Sequence, residues 1–141
     1  MSCNNAFAND VIPDAFKNQM KRMVGSWVFT GNGGDRKLTG KETIRIVNNG
    51  TAIVQEGYFD LDDSKKEHYV ILSGWDGEKK TILVRGFTSL GTTFDGAWSK
   101  VENDAFVGKA QGKQAKFKVS KQTMIYEEDG GKWTMKFERE K

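Results

Sequence analysis

The hydrophobic pattern of the chain changes its period at Gly25. Before this residue, apolar side chains recur at helical spacing, at Phe16, Met20, Met23 and Val24. This stripe predicts a short helix that begins at Asp10 or at the Pro13-Asp14 pair, where proline suits a first helical turn. A helix of this length is unstable alone, so we expect it to pack on the rest of the chain.

After Gly25, apolar and polar residues alternate with a period of two in about ten short segments. These predicted strands are 27–30, 41–47, 51–60, 68–75, 79–88, 92–99, 105–110, 114–120, 123–128 and 132–139. Asn49-Gly50 and Asp76-Gly77 are typical hairpin dipeptides. Because short turns join neighbouring strands, the pattern predicts an antiparallel all-β protein.

Glycines inside consecutive predicted strands favour a curved sheet. They are Gly57, Gly74, Gly86, Gly96 and Gly108. Glycine within a strand permits the bends that strongly coiled sheets need. Closing an up-and-down sheet also removes exposed edges. We therefore predict an antiparallel up-and-down β-barrel of about 8–10 strands with the helix capping one end; a β-sandwich is the alternative.

Length and composition fit one small domain. The 141 residues predict a flexible tail at 1–10 and a single barrel domain at 11–141. The only cysteine, Cys3, excludes an internal disulfide and permits a reducing compartment. We find no signal-peptide pattern and no apolar run of bilayer length, which predicts a cytoplasmic location and no membrane span. The net charge of +3 does not require a nucleic-acid partner.

The Gly25-Ser26-Trp27 segment resembles the G-x-W motif of the calycins, the superfamily of lipocalins and fatty-acid-binding proteins. The chain is most similar to small bacterial lipocalin-like proteins of unassigned function, over about residues 25–139. The Asp-Tyr pair and the cysteines of secreted lipocalins are absent. The resemblance implies that a late basic residue packs across Trp27, with Arg139 as the first match and Lys136 as the second.

A barrel of this kind predicts a cavity for a small hydrophobic or amphipathic ligand. Both faces of strand 79–88 are partly apolar, so its facing is ambiguous. If Arg85 faces inward, Glu56 is its candidate partner, and the pair would hold an anionic head group; a surface or structural ion pair is the alternative. The predicted ligand-binding residues are Glu56, Tyr58, Arg85, Phe87, Phe94, Trp98 and Tyr126.

Two other functions stay open at this point. One is an enzyme that uses Glu56, Arg85 or Asp95 for acid–base chemistry on an apolar substrate, although no catalytic motif is present. The other is a filled structural barrel with an external partner site.

The sequence gives no metal, cofactor or nucleic-acid site. His68, the single histidine, stands among charged residues and is predicted to be exposed, so we assign no metal and no cofactor. In the strand 114–120, lysines alternate with Ala115, Phe117 and Val119, which predicts that the lysines form its solvent-exposed face. We therefore assign no nucleic-acid site. Oligomeric state is not indicated.

Overall fold

The structure is a computed structural model that describes residues 11–61 and 66–141. In these ranges one α-helix, α1 (Asp14–Met23), precedes ten strands. The strands are β1 (Gly25–Gly33), β2 (Arg36–Val47), β3 (Ala52–Leu61), β4 (Lys66–Asp76), β5 (Thr81–Thr88), β6 (Thr93–Glu102), β7 (Ala105–Ala110), β8 (Lys113–Val119), β9 (Thr123–Glu128) and β10 (Trp133–Arg139). A short 3-10 turn at Asn48–Gly50 joins β2 to β3.

The strands form one closed antiparallel barrel. Each strand pairs with its neighbours in the chain, and β1 closes the sheet by pairing with β10, so that Trp27 stands opposite Arg139. This confirms the predicted fold class and rules out the sandwich, because a sandwich consists of two separate sheets. The predicted tail at 1–10 lies outside the described residues, and the single domain over 11–141 stays a prediction.

Helix α1 covers one end of the barrel. Pro13 precedes its first turn and Asp14 places a negative charge there, where the helix dipole favours it. Phe16, Met20 and Met23 are buried beneath it, as the stripe predicts. Val24 is exposed, because the helix ends at Met23 and the chain has already turned toward β1.

Polar contacts fix the position of α1 on the barrel. Gln19, buried on the helix, donates its side-chain amide to the carbonyl of Asp104 in the β6–β7 turn. Arg22 forms an ion pair with the carboxylate of the same residue at 2.7 Å. The helix therefore has both an apolar and a polar attachment to the barrel. No helix in the described ranges is long and apolar enough to span a membrane.

Interior glycines allow close backbone approach within two strand pairs of the barrel. A Cβ atom at Gly40 or Gly57 would collide with a carbonyl oxygen across the β2–β3 pair. The same holds for Gly96 and Gly108 across β6–β7. Since only glycine permits such close backbone approach, these positions let the sheet bend enough to close.

Candidate ligand-binding cavity

Packed side chains close the end of the barrel under α1. Trp27 is fully buried there and its indole Nε1 donates to the carbonyl of Met23 at 2.8 Å. The guanidinium of Arg139 lies over the Trp27 ring, 4.3 Å from its centroid. Large apolar side chains such as Ile44, Phe106 and Met124 complete this closed end.

Arg139 also hydrogen-bonds to the backbone at this end of the barrel. Its Nη1 and Nη2 donate to the carbonyls of Val24 and Arg22 at 2.8 and 2.9 Å, and its Nε donates to the carbonyl of Lys121 at 2.9 Å. Gly25 has a φ of 137°, and a Cβ there would collide with Arg139. The glycine of the Gly25-Ser26-Trp27 segment thus leaves space for the arginine that covers the tryptophan.

The rest of the interior is a cavity of about 590 Å³. It extends from Met20 and Met23 under the helix to the opposite end of the barrel, where Arg36, Glu67 and Trp133 lie. Its wall is mainly aliphatic and aromatic, with Phe29, Ile53, Phe59, Ile82, Val84 and Phe137 as examples. This volume is within the usual range of small-molecule sites, and it shows that side chains do not fill the barrel.

One wall of the cavity carries a polar cluster formed by buried Glu42 and Gln55 and half-buried Tyr69, on β2, β3 and β4. Glu42 is 4% exposed. The Tyr69 hydroxyl donates to Glu42 Oε2 at 2.5 Å, and Gln55 Nε2 donates to Oε1 and Oε2 at 3.2 and 3.3 Å. Three neighbouring strands therefore direct one carboxylate and its two neutral donors into an apolar space.

Burial controls the ionisation of this cluster. It raises the pKa of Glu42 to about 7, against the smaller opposing effect of the hydrogen bonds from Tyr69 and Gln55. The pKa of Tyr69 is also raised, first by burial and then by the charge of Glu42. Glu42 can therefore exist as acid or carboxylate near neutral pH, while Tyr69 remains a hydrogen-bond donor.

A second polar pair lies on β9. The Tyr126 hydroxyl donates to Glu128 Oε2 at 2.8 Å, and burial raises the pKa of Tyr126. Both residues line the cavity and are half-buried. In the described ranges no group of three His, Cys, Asp or Glu side chains is placed to hold a metal ion.

The residues predicted to bind ligand divide between the two faces of the barrel. Phe94, Trp98 and Tyr126 line the cavity, and their role in binding stays a prediction. The other four do not line it; they are Glu56, Tyr58, Arg85 and Phe87.

Arg85 does not face inward with Glu56 as its partner; it takes the alternative of a surface ion pair. On β5, Ile82, Val84 and Gly86 face inward, so Arg85 and Phe87 face outward. Arg85 pairs with Asp95 on β6, and Phe87 is 58% exposed. The local pattern left the facing open, and closure of the barrel decided it.

Glu56 and Tyr58 lie on the outer face of β3, since Ile53, Gln55 and Phe59 take the inner face. Glu56 forms an ion pair with Arg45 at 3.0 Å instead of with Arg85. Tyr58 contacts the ring of His68, which is exposed.

Sequence reasoning missed Glu42, Gln55 and Tyr69. A signal for Glu42 was present: on β2 it shares the inner face with Leu38, Ile44 and Ile46, a single carboxylate in an apolar row. Gln55 likewise alternates with Ile53 on β3. A polar residue in the apolar register of a strand marks a buried polar site.

No protein-family model and no curated protein matches this sequence. Among solved structures, the chain is similar to a de novo designed fluorescence-activating β-barrel, with a TM-score of 0.52 and 12% identity over 86% of this chain and 96% of that one. It is also similar to a redesigned β-barrel, mFAP0, bound to DFHBI, with a TM-score of 0.51 and 11% identity over 84% of this chain and 99% of that one. At such identities the likeness shows the fold alone.

Proposed function

We propose that this protein binds a small hydrophobic or amphipathic molecule inside the barrel. The observation that carries the proposal is the cavity of about 590 Å³, which combines an apolar wall with the polar cluster of Glu42, Gln55 and Tyr69. Such a site provides buried apolar area for affinity and a few fixed polar atoms for orientation. The similar barrel mFAP0 is bound to a small molecule, DFHBI, which is consistent with this use of the fold.

We also propose that the barrel is calycin-like. Support comes from Trp27 at the closed end, Arg139 across its ring and Gly25 beside that arginine. These residues match the motif on which the resemblance rests. The cytoplasmic location stays a prediction from the sequence.

A neutral apolar fluorophore tests binding. N-phenyl-1-naphthylamine should gain fluorescence on entering the cavity, and decanol should displace it. Ala110 lines the cavity on β7, so Ala110→Trp should occupy part of the space and reduce binding at least about fivefold. Val107→Trp is the matched control, because Val107 lies on the outer face of the same strand. No fluorescence gain, or equal binding by both variants, would contradict a cavity site.

A second candidate function is general acid–base catalysis by Glu42. The observation in its favour is a carboxylate in an apolar cavity with a pKa of about 7, because a base is most effective when its pKa is near the working pH. The Tyr69 hydroxyl beside it could donate a hydrogen bond to a substrate oxygen only by leaving Glu42.

The base-catalysed opening of 5-nitrobenzisoxazole tests this candidate. The carboxylate removes the C3 proton, the N–O bond breaks, and a coloured cyanophenolate forms. The rate should rise with pH and level off above about pH 7, as Glu42 ionises. Glu42→Gln should remove the protein-dependent rate, whereas Glu56→Gln on the outer face should keep it. A rate that Glu42→Gln leaves unchanged would exclude Glu42 as the base.

A further inference from the structure

The polar centre of the cavity is a carboxylate whose partners are neutral. Glu42 accepts hydrogen bonds from Gln55 and Tyr69, neither of which carries a positive charge. In the described parts of the chain, no lysine or arginine forms an ion pair with it. Buried carboxylates are ordinarily paired with a cation or neutralised by a proton. A cation beside Glu42 would therefore stabilise its ionised form, and none of the described residues supplies one in an ion pair.

We propose that the ligand is an amphiphile whose polar end is a protonated amine, held by Glu42, while its apolar body occupies the cavity. This inference rests on the binding function proposed above and names the class of ligand. It replaces the anionic head group expected from the sequence, since Arg85, the cation of that expectation, faces outward.

The aromatic surroundings of Glu42 suit an ammonium group. The Phe29 and Phe59 rings lie 6.4 and 5.9 Å from the Tyr69 ring, and the Tyr69 hydroxyl contacts the carboxylate. All three rings line the cavity. A cation beside such rings gains cation–π attraction in addition to its ion pair, and the gain increases when water is excluded.

Glu42 also retains hydrogen-bonding capacity. A carboxylate offers about four acceptor sites. Oε2 receives Tyr69 and Gln55, whereas Oε1 receives only Gln55. An ammonium group has three donors and can bond to Oε1 without displacing either neighbour. A cation there would also lower the raised pKa of Glu42 and keep the carboxylate ionised.

The charges along the cavity favour the same sign of ligand. Of the charged residues that line the cavity from the inner face in the described ranges, three are acidic and one is basic: Glu42, Glu67 and Glu128 against Arg36. This contrasts with the chain as a whole, which carries a net charge of +3. The interior is therefore more acidic than the molecule that surrounds it, which favours entry of a cation.

The test compares ligands that differ only in their head group. Decylamine, decanol and decanoate displace N-phenyl-1-naphthylamine from the wild-type protein at pH 7.5, and the three dissociation constants are compared. A parallel series of 1-naphthylmethylamine, 1-naphthylmethanol and 1-naphthoate distinguishes an aromatic amine from an aliphatic, lipid-like one. We expect the amine of at least one series to bind at least about tenfold more tightly than the matching alcohol, with the carboxylate weakest.

Two variants connect this preference to Glu42. Glu42→Gln keeps the shape of the side chain and removes its charge, so the amine and the alcohol should bind within about threefold of each other. Glu56→Gln is the matched control on the outer face of β3 and should keep the preference. Circular dichroism of each variant verifies that the barrel is folded, and the wild-type series alone can overturn the proposal.

The outcomes separate this inference from the function on which it rests. If neither the fluorophore nor any of the ligands binds, the cavity function fails. If the alcohols or carboxylates bind as tightly as the amines, or Glu42→Gln keeps the amine preference, the cavity function stands and the amine ligand is wrong.

Discussion

The two ends of the barrel are built from similar residues and have opposite properties. At the closed end, Trp27 is fully buried, Arg139 covers its ring, and α1 completes the packing. Toward the other end, Phe59, Tyr69 and Trp133 are only half-buried around a cavity of about 590 Å³. Aromatic side chains supply the wall in both regions, so composition does not distinguish them.

The two ends also differ in how their charged side chains are paired. Arg139 donates three of its five N–H groups to backbone carbonyls and lies over a ring, so the protein itself supplies its partners. Among the residues that the structure describes, Glu42 has only neutral partners, and it faces the cavity. A half-buried charge with several hydrogen-bond partners holds a structure together, whereas a buried charge without a counter-ion destabilises the empty protein and can be compensated by a ligand. The closed end thus serves stability, and the open half is where we propose that a ligand binds.

The largest expected effect is the loss of the closed-end tryptophan. Trp27→Ala should lower the free energy of unfolding by about 4 kcal/mol, because it leaves a cavity and removes the ring under Arg139. Trp133→Ala at the open end should cost about 2 kcal/mol, since that ring is only half-buried. Urea unfolding of both variants measures the difference. Equal losses would mean that the two ends do not differ in this way.

The next effect is a pH dependence due to Glu42. Its pKa is about 7 in the folded protein and about 4.5 when unfolded, so the folded state binds more protons between these values. Stability should therefore fall as pH rises from about 4.5 to 7 and then level off, a loss of about 3 kcal/mol from this group. Urea unfolding of wild type and Glu42→Gln at pH 5 and pH 8 isolates the contribution of Glu42 to the free energy of unfolding. Parallel curves for the two proteins would contradict the raised pKa.

Replacing Arg139 by lysine keeps the charge and removes the planar fork. Lysine cannot donate to Arg22, Val24 and Lys121 carbonyls in the same geometry, so Arg139→Lys should cost about 2 kcal/mol. Thermal unfolding checks the loss. Binding of the neutral fluorophore to the folded variant should stay unchanged, because Arg139 does not line the cavity. A variant as stable as wild type would show that charge alone is sufficient at this position.

The smallest effect concerns the outer face. Arg85→Ala breaks an exposed ion pair with Asp95 and should change stability by less than about 1 kcal/mol. Decylamine and decanoate binding should each stay within twofold of wild type, as measured by fluorophore displacement. A selective loss of decanoate binding would restore Arg85 as an anion anchor and contradict the assignment of the polar centre to Glu42.

The strand pattern could be predicted without the structure, because alternation and turn dipeptides are local properties. A barrel of about 8–10 strands was expected and ten are present, with Ala105–Ala110 and Thr123–Glu128 matching at both ends. The helical stripe likewise placed Phe16, Met20 and Met23 in the core. The Gly25-Ser26-Trp27 segment pointed to a basic residue across Trp27 through family resemblance, since the contact joins residues at opposite ends of the chain.

Where both faces of a strand carry apolar residues, the inward face is known only from the tertiary structure. On β5 both faces carry apolar residues, and the pairing of Arg85 with Asp95 on β6 became evident only with the register. The site itself combines residues from β2, β3 and β4, and Glu42, Gln55 and Tyr69 meet because closure directs their side chains toward one point. Alternation specifies two faces for each strand, but the choice between them depends on the burial of all ten strands together.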